Sequence, residues 1–270
     1  MTDPVSEGEV PRGSLTIVGT GIRPPFQTTH EAIRCIEQAD RVLYLLDEPT
    51  PARWIRDRNP STTSLAHLYL EHDDRSEVYD AIVAEVMGLL GEGLDVCLAL
   101  YGHPGVFVSP SHEALSRARE AGYRASMLPG VSAEDCLFVD LGFDPADAGC
   151  QSYEATDFLI HERIVDPSVP LILWQISVIG DSGTTGAPNR TGLRELADRL
   201  TRTHGVGHRV TIYEASPFPF GRPLIDRVRV GDLAEADVPA LSTLFVPPAA
   251  SRAIDPDVVR RLGMSGPRGD

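Results

Sequence analysis

The sequence has no lysine, and its charge balance is strongly acidic. All 24 basic residues are arginines, against 39 aspartates and glutamates, and the formal net charge is −15. The absence of lysine excludes a lysine Schiff base and the lysine of a phosphate-binding P-loop. The acidic balance disfavours nonspecific binding to nucleic acid or to an anionic membrane, because both require a basic surface. We therefore expect neither nucleic acid nor a membrane as a partner.

Long apolar runs and metal-binding cysteine motifs are also missing. No apolar run approaches the roughly 20 residues that span a bilayer. The N-terminus, Met1–Gly13, lacks the basic and apolar regions of a signal peptide, which predicts a cytoplasmic location. The four cysteines show no C-x-x-C spacing, so we expect buried, reduced thiols and no metal.

What the first half of the chain does have is an alternation of strand and helix patterns. Short apolar runs predict strands at Ser14–Thr20, Arg41–Leu46, Asp95–Leu100 and Arg124–Met127. Helical spacing of apolar residues predicts helices at Thr29–Asp40, Pro51–Arg58, Glu77–Leu90, Pro110–Ala121 and Ala133–Gly142. This order is typical of an α/β fold with a mainly parallel sheet and helices on both faces.

In the second half, strand patterns outnumber helix patterns and no longer alternate with them, which predicts an α+β domain with a mixed sheet. Strand patterns cover Pro170–Ile179, His208–Ala215, Leu224–Val230 and Leu241–Pro247, with a helix over Leu193–Thr203. The segment Phe143–Gly149 is rich in Pro, Asp and Gly, so it predicts a linker between domains. The resulting division is an N-terminal domain over 14–145 and a C-terminal domain over 146–248, with flexible tails over 1–13 and 249–270.

Two loops rich in glycine and proline point to a ligand site. Tyr101–Phe107 follows one predicted strand, Leu128–Asp135 follows another, and each leads into a helix. In open α/β sheets, ligands bind outside the carboxyl ends of the strands, so the two loops predict a small ligand. Gly19-Thr20-Gly21 begins like a dinucleotide-binding motif, but Pro24 stands where the third glycine belongs, which disfavours that assignment.

Together with Trp174-Gln175 and Ser242-Thr243, these loops resemble the tetrapyrrole-methylase-like superfamily. Its members are methyltransferases that use S-adenosylmethionine (SAM), with two α/β domains and the cofactor in the cleft between them. The usual acidic Gly-Asp-Pro-Gly turn is here Gly102-His103-Pro104-Gly105. Segments 101–115, 128–145 and 149–160 closely resemble the borosin peptide backbone α-N-methyltransferases, and the likeness extends from residue 14 to about 248. The resemblance also implies a homodimer.

The resemblance implies a set of cofactor contacts for SAM and its product, S-adenosylhomocysteine. Glycines in these turns let the backbone approach such a ligand closely. The implied contacts are Tyr101, His103, Val106, Phe107, Ser132, Ala133, Gln175, Tyr213, Ala215, Ser242 and Thr243. For Val106, Phe107 and Ala133, an ordinary role in the apolar core is the alternative.

Methylation of a peptide nitrogen makes chemical demands that one segment of this sequence meets. The nitrogen lone pair is delocalised into the carbonyl, so the N–H proton must be removed and the imidate oxygen stabilised. Tyr69, Arg75 and Tyr79 match a Tyr–Arg–Tyr set implicated in borosin catalysis, with Arg75 as the donor and either tyrosine as the base. Arg75 and Tyr79 share a face if the helix has begun. The family commonly has a further tyrosine where this chain has Ala66.

Some borosin enzymes carry their substrate as a C-terminal extension, and the sequence after Pro248 does not resemble one. It therefore predicts a split arrangement, in which the substrate is a separate precursor peptide methylated repeatedly on its backbone amides. A tetrapyrrole C-methyltransferase is one alternative, although His103 and the Tyr–Arg–Tyr set disfavour it. A second is a non-catalytic SAM-binding partner protein, with Ala66 as the trace of lost catalysis. For Tyr69, Arg75 and Tyr79 themselves, the alternative is a solvated helix start with an Arg–Glu pair.

Overall fold

The computed structural model describes residues 12–46, 49–184 and 188–264. The chain divides into two compact units. The first contains the chain up to Phe143 and two later segments, Gly180–Pro188 and Tyr213–Ile225. The second contains Asp144–Ile179, Asn189–Ile212 and the chain from Asp226 onward. The sequence predicted one boundary between the two domains, near residue 145. In the structure the chain passes into the second unit there and then returns to the first unit twice.

The first unit is built on a five-stranded sheet with the strand order β3-β2-β4-β1-β5. Its strands are β1 Ser14–Gly19, β2 Arg41–Leu45, β3 Thr62–Ser64, β4 Asp95–Leu100 and β5 Arg124–Met127. Its helices are α1 His30–Gln38, α2 Pro49–Arg58, α3 Leu68–Glu71, α4 Arg75–Gly91, α5 Ser109–Glu120 and α6 Ala133–Leu141. All four strand pairings are parallel, as the alternating pattern predicted.

Alternation along the strands produces two apolar layers, one on each face of this sheet. In β4, Leu98 and Leu100 join the layer that contains α4 and α5, whereas Cys97 and Ala99 join the layer that contains α1 and α2. Successive strand residues point to opposite faces, so a strand buried on both sides must be apolar throughout. This explains the continuous apolar run of β4, which predicted a strand and is buried from Val96 to Leu100.

A second five-stranded sheet has the order β6-β7-β10-β8-β9. Its strands are β6 Gln151–Glu154, β7 Leu171–Trp174, β8 Arg209–Glu214, β9 Leu224–Arg229 and β10 Thr243–Val246. The remaining helices are α7 Pro145–Ala148, α8 Ala155–Ile160, α9 Arg190–His204 and α10 Pro256–Arg261. β6 pairs with β7 in parallel and β10 pairs with β7 in antiparallel fashion, so the sheet is mixed, as predicted.

Several predicted elements differ in the structure. The predicted linker over Phe143–Gly149 contains α7, because Asp144 caps it and Pro145 occupies its first turn. The long strand predicted over Pro170–Ile179 ends at Trp174, and Ile176–Val178 forms a 3-10 turn. Of the predicted tails, residues 12, 13 and 249–264 are described and include α10, while 1–11 and 265–270 lie outside the described residues.

Every helix within the described ranges is too short or too polar to cross a membrane.

Candidate functional site

Three turns at the carboxyl ends of β1, β4 and β5 meet backbone to backbone. Gly21 and Gly102 exchange hydrogen bonds, with N···O distances of 3.2 and 3.1 Å. A Cβ atom at Gly19 would lie 2.3 Å from the carbonyl oxygen of Gly102, and one at Gly130 would lie 3.0 Å from the same oxygen. Such contacts leave no space for a side chain, so glycine is required where the turns meet. The two loops singled out in the sequence therefore lie together.

His103 is held within its own loop. Its Nδ1 accepts a hydrogen bond of 3.0 Å from the backbone N–H of Gly105. This bond requires an unprotonated Nδ1, so in the neutral ring the hydrogen is on Nε2, where it is available to donate. The buried Ser111 hydroxyl secures the turn further through the carbonyl oxygens of Pro104 and Val108. Phe107, the last residue of this loop, has a left-handed φ of 54°.

Ser132 begins α6 with a reciprocal capping box. Its hydroxyl accepts from the Asp135 N–H at 3.2 Å, and the Asp135 carboxylate accepts from the Ser132 N–H at 2.7 Å and from its hydroxyl at 2.8 Å. The box fixes where the helix starts, and with it Ala133 in the first turn. The capping box therefore holds the second loop in place at Ser132 and Ala133, which are two of the predicted cofactor contacts.

Tyr213 lies fully buried in the first unit, close to the first loop. Its hydroxyl donates to the Asp140 carboxylate at 2.7 Å. Burial, then this hydrogen bond, and then the nearby charges of Asp140, Cys136 and Tyr101 raise the pKa of Tyr213 above its usual range. Tyr213 is therefore a neutral phenol whose proton is already donated, and a bound ligand would meet its ring or backbone. Ala215, two residues further on, is also buried.

This environment makes a prediction about stability at alkaline pH. Above about pH 10 an exposed tyrosine loses its proton, while folded Tyr213 keeps it. The unfolded chain then binds fewer protons, so the free energy of unfolding falls as pH rises, by up to about 1.4 kcal/mol per pH unit. Tyr213→Phe should abolish this part of the slope and lower stability at neutral pH by about 1 kcal/mol. Urea melts from pH 7 to 11 measure how the free energy of unfolding changes with pH, with Tyr123→Phe as the control variant. The same slope in Tyr213→Phe and Tyr123→Phe would contradict the prediction.

In the second unit, the predicted contacts show two features that ordinary packing does not explain. Gln175, directly after β7, has left-handed φ and ψ values of 58° and 37°. Ser242 is 0% exposed, and its hydroxyl has no hydrogen-bond partner in the part of the chain that the structure describes. Strained backbone and unpaired buried polar groups concentrate at functional sites. Thr243, the first residue of β10, is also buried.

The Tyr–Arg–Tyr segment forms a compact part of the first unit. Asp74 caps α4, so Arg75 is its first residue and Tyr79 lies one turn later on the same face. Tyr69 lies in α3, which packs against α4, and Tyr69 and Tyr79 both contact the apolar layer beneath α4. All three side chains are half-buried, whereas Ala66 is exposed just before α3.

The structure thus distributes the predicted residues over both units. Eight of the cofactor contacts and the Tyr–Arg–Tyr segment belong to the first unit: Tyr101, His103, Val106, Phe107, Ser132, Ala133, Tyr213 and Ala215. Gln175, Ser242 and Thr243 belong to the second. Their assembly in a cleft stays a prediction. Sequence reasoning missed Asp140 and Ser182, whose partners are 73 and 108 residues away along the chain.

Comparison with known proteins identifies the family. The family described as Tetrapyrrole (Corrin/Porphyrin) Methylases matches residues 14–215. The fold is shared with uroporphyrin-III-C-methyltransferase from Thermus thermophilus, with a TM-score of 0.63 at 21% identity, covering 88% of this chain and 93% of that one. A second structure of that enzyme, complexed with S-adenyl homocysteine, has a TM-score of 0.58 at 18% identity, covering 87% and 92%. The chain belongs to the tetrapyrrole methylase family.

Comparison with individual relatives places the chain in the borosin subgroup of this family, as the resemblance predicted. The chain is 42% identical over 256 residues to the methyltransferase and omphalotin A precursor of Omphalotus olearius, covering 93% of this chain and 61% of the relative. It is 37% identical over 266 residues to a type I borosin cyclic peptide precursor of Coprinopsis marcescibilis, covering 95% and 68%. The gymnopeptides precursor of Gymnopus fusipes is 40% identical over 255 residues, covering 93% and 61%. The chain therefore spans about three fifths of the first and third relatives.

Proposed function

We propose that this protein transfers methyl groups from SAM to backbone amide nitrogens of a peptide. The observation that carries the proposal is the half-buried Tyr–Arg–Tyr segment, which runs from α3 into the first turns of α4. The relatives of this chain are named as methyltransferases with cyclic peptide precursors. An amide acceptor needs a proton acceptor for its nitrogen and a donor for its oxygen, and this segment offers residue types for both. The acidic net charge also disfavours a polycarboxylate substrate.

The residues of both units fit SAM as a ligand. The turns at Gly19, Gly102 and Gly130 present backbone groups without side chains. The Nε2–H of His103 and the unpaired Ser242 hydroxyl offer two donors for polar groups of the ligand. When bound, SAM supplies an electrophilic methyl group and leaves as S-adenosylhomocysteine.

The protein's own residues then have to prepare the amide. Tyr69 or Tyr79, as a phenolate, takes the N–H proton of the substrate, and the negative charge that develops on the amide oxygen accepts a hydrogen bond from the Arg75 guanidinium. The amide nitrogen prepared in this way would take up the methyl group of bound SAM, with S-adenosylhomocysteine as the leaving group and inversion at the methyl carbon. Because Arg75 is the first residue of α4, the capped helix start fixes the backbone from which its side chain extends.

The direct experiment supplies a peptide to the purified protein. A synthetic peptide carrying an apolar, β-branched core behind a relative's leader is incubated with SAM, and intact-mass and fragmentation spectra are recorded. Successive gains of 14 Da on backbone amides support the proposal, and a gain on a separately added chain also supports a split arrangement. Bound SAM without methylated amides contradicts the proposal, and a coloured macrocycle retained on purification would favour the tetrapyrrole alternative. The separate substrate chain and the homodimer stay predictions.

Ser242 gives a prediction about cofactor binding alone. Its buried hydroxyl makes no hydrogen bond within the described residues, so Ser242→Ala removes no protein contact and should leave the thermal stability of the ligand-free protein unchanged or raised. If a polar atom of SAM pairs with this hydroxyl, the substitution should weaken SAM binding by about tenfold, which is 1.4 kcal/mol. Calorimetric titration measures it, with Ser116→Ala on the exposed face of α5 as control. Unchanged affinity would remove Ser242 from the site.

A further inference from the structure

A short segment of the later chain binds the turn that carries Arg75. We name it the strap and define it as residues 180–184, within the first unit. The Arg75 backbone N–H donates to the carbonyl oxygen of Ser182 at 2.9 Å, and Asp74 forms a β-bridge with Gly183. The Thr184 hydroxyl donates to the carbonyl oxygen of His72 at 3.3 Å. The helix start is thus held by strand-like bonds from a distant part of the sequence.

One carboxylate joins the helix cap to the strap. Asp74 Oδ1 accepts from the Ser76 N–H at 2.7 Å and from the Ser76 hydroxyl at 2.6 Å, while Oδ2 accepts from the Ser182 hydroxyl at 2.8 Å. The hydrogen bonds from Ser76 and Ser182 hold the pKa of Asp74 below its usual value. The carboxylate is therefore charged and able to accept all these bonds at neutral pH.

The strap is itself shaped to reach this position. Gly180 has a φ of 67°, which turns the chain sharply out of the 3-10 turn that precedes it. The Asp181 carboxylate accepts from the Gly183 N–H at 2.8 Å and fixes the conformation around Ser182. Two ordered turns therefore present the Ser182 carbonyl and hydroxyl to Asp74 and Arg75.

We propose that Asp74 and Ser182 are positioning residues for catalysis, which hold the first turn of α4 so that the Arg75 guanidinium meets the amide oxygen of the substrate. The inference rests on the proposed function of Arg75. An unsupported helix start frays, because its first N–H groups have no partners inside the helix. Displacing a catalytic group by about 1 Å can cost about 100-fold in rate. The capped and strapped turn prevents that displacement without touching substrate or cofactor.

The test compares Asp74→Ala, Ser182→Ala and the double variant with wild type. We expect kcat for peptide methylation to fall about 10- to 100-fold in Asp74→Ala. The fall in Ser182→Ala should be smaller, with KM and the dissociation constant of SAM within about twofold of wild type. The double variant should match Asp74→Ala, because the shared hydrogen bond is already lost there. Asp74→Asn should recover most of kcat, since asparagine caps helices as well as aspartate does.

A matched control and a second measurement make the outcome decisive. Asp73→Ala removes a neighbouring exposed carboxylate that makes no hydrogen bond within the described ranges, and should leave kcat unchanged. Amide hydrogen exchange over residues 75–79 should be faster in Asp74→Ala and Ser182→Ala, and unchanged in Asp73→Ala. A purely structural role would lower the melting temperature while kcat per folded enzyme stays at the wild-type value, which would overturn the inference.

The two proposals fail in different ways. If wild-type protein binds SAM but methylates no peptide, the proposed function is wrong. Amide exchange then still decides whether the strap holds the helix start, and unaltered exchange in Ser182→Ala would overturn the inference as well. If wild-type protein methylates and Ser182→Ala does so at the same rate, the proposed function stands, but the Ser182 hydroxyl does not position Arg75 and the inference for Ser182 is overturned.

Discussion

Arg75→Ala should lower methyl transfer to a peptide amide by about 10²- to 10³-fold and leave SAM bound, because removing one donor to a developing oxyanion costs about that much. Arg75 is the half-buried first residue of α4, and Tyr79, one turn later, contacts the apolar layer beneath this helix. A guanidinium in such surroundings interacts more strongly with charge on the substrate than it would in water. Single-turnover methylation with saturating SAM measures the loss directly.

Two further variants give this prediction its controls. Arg75→Lys keeps the charge but loses the planar set of donors, so its rate should lie between those of wild type and Arg75→Ala. Arg53→Ala removes a guanidinium that is 80% exposed on α2, beside Asp57, and should leave the rate unchanged. If Arg75→Ala methylates at the wild-type rate, the assigned donor is wrong. If it neither binds SAM nor folds, calorimetry and circular dichroism will show it before kinetics are interpreted.

SAM affinity and peptide methylation, measured together on Arg75→Ala, distinguish an enzyme from a SAM-binding partner protein. A partner protein would keep its binding functions in Arg75→Ala, since the substitution leaves the turns after β1, β4 and β5 intact. An enzyme with the same substitution would lose methylation and keep its affinity for SAM. The comparison therefore needs SAM affinity and methylation from one preparation, with the peptide supplied in excess so that KM effects do not enter.

The sequence predicted most of the fold because its strongest signals are local. The apolar runs of β4 and β5 gave their boundaries correctly. In the structure, Thr29 and Ser132 cap α1 and α6. β3 and β6 were missed because both are short and polar, with the sequences TTS and QSYE, and pairing with a neighbouring strand decides their conformation. Helix α4 begins two residues earlier than predicted because Asp74 and the strap cap it there.

The site could be predicted only where its geometry follows from local sequence. Glycines marked the three turns, because close backbone approach demands them. The left-handed backbone of Phe107 and Gln175 has no such marker, since neither residue type favours a positive φ. The hydrogen bonds from Tyr213 to Asp140 and from Ser182 to Asp74 form only when distant parts of the chain fold together. No spacing in the sequence predicts them.

Gly19→Ala should be the most damaging conservative substitution in the three turns that follow β1, β4 and β5. Its Cβ would lie 2.3 Å from the Gly102 carbonyl oxygen and 2.7 Å from Pro104 Cδ, so the backbone of the first loop must move. Overpacking of this kind lowers the free energy of unfolding by about 1–3 kcal/mol. The moved loop carries Tyr101 and His103, so we expect SAM affinity to fall about tenfold, which is 1.4 kcal/mol. Urea melts and calorimetric titration measure the two effects.

Gly88→Ala is the matched control, because it adds the same methyl group to the same unit in a different setting. Gly88 lies on the exposed side of α4, and a Cβ there would meet nothing within 4 Å. Alanine is the better helix former by about 1 kcal/mol, so this variant should be more stable than wild type and bind SAM equally well. Loss of SAM affinity in Gly19→Ala alone would tie the turns to the cofactor. Equal affinity in both variants would show that the cofactor binds elsewhere, because no ligand seated on these turns tolerates their displacement.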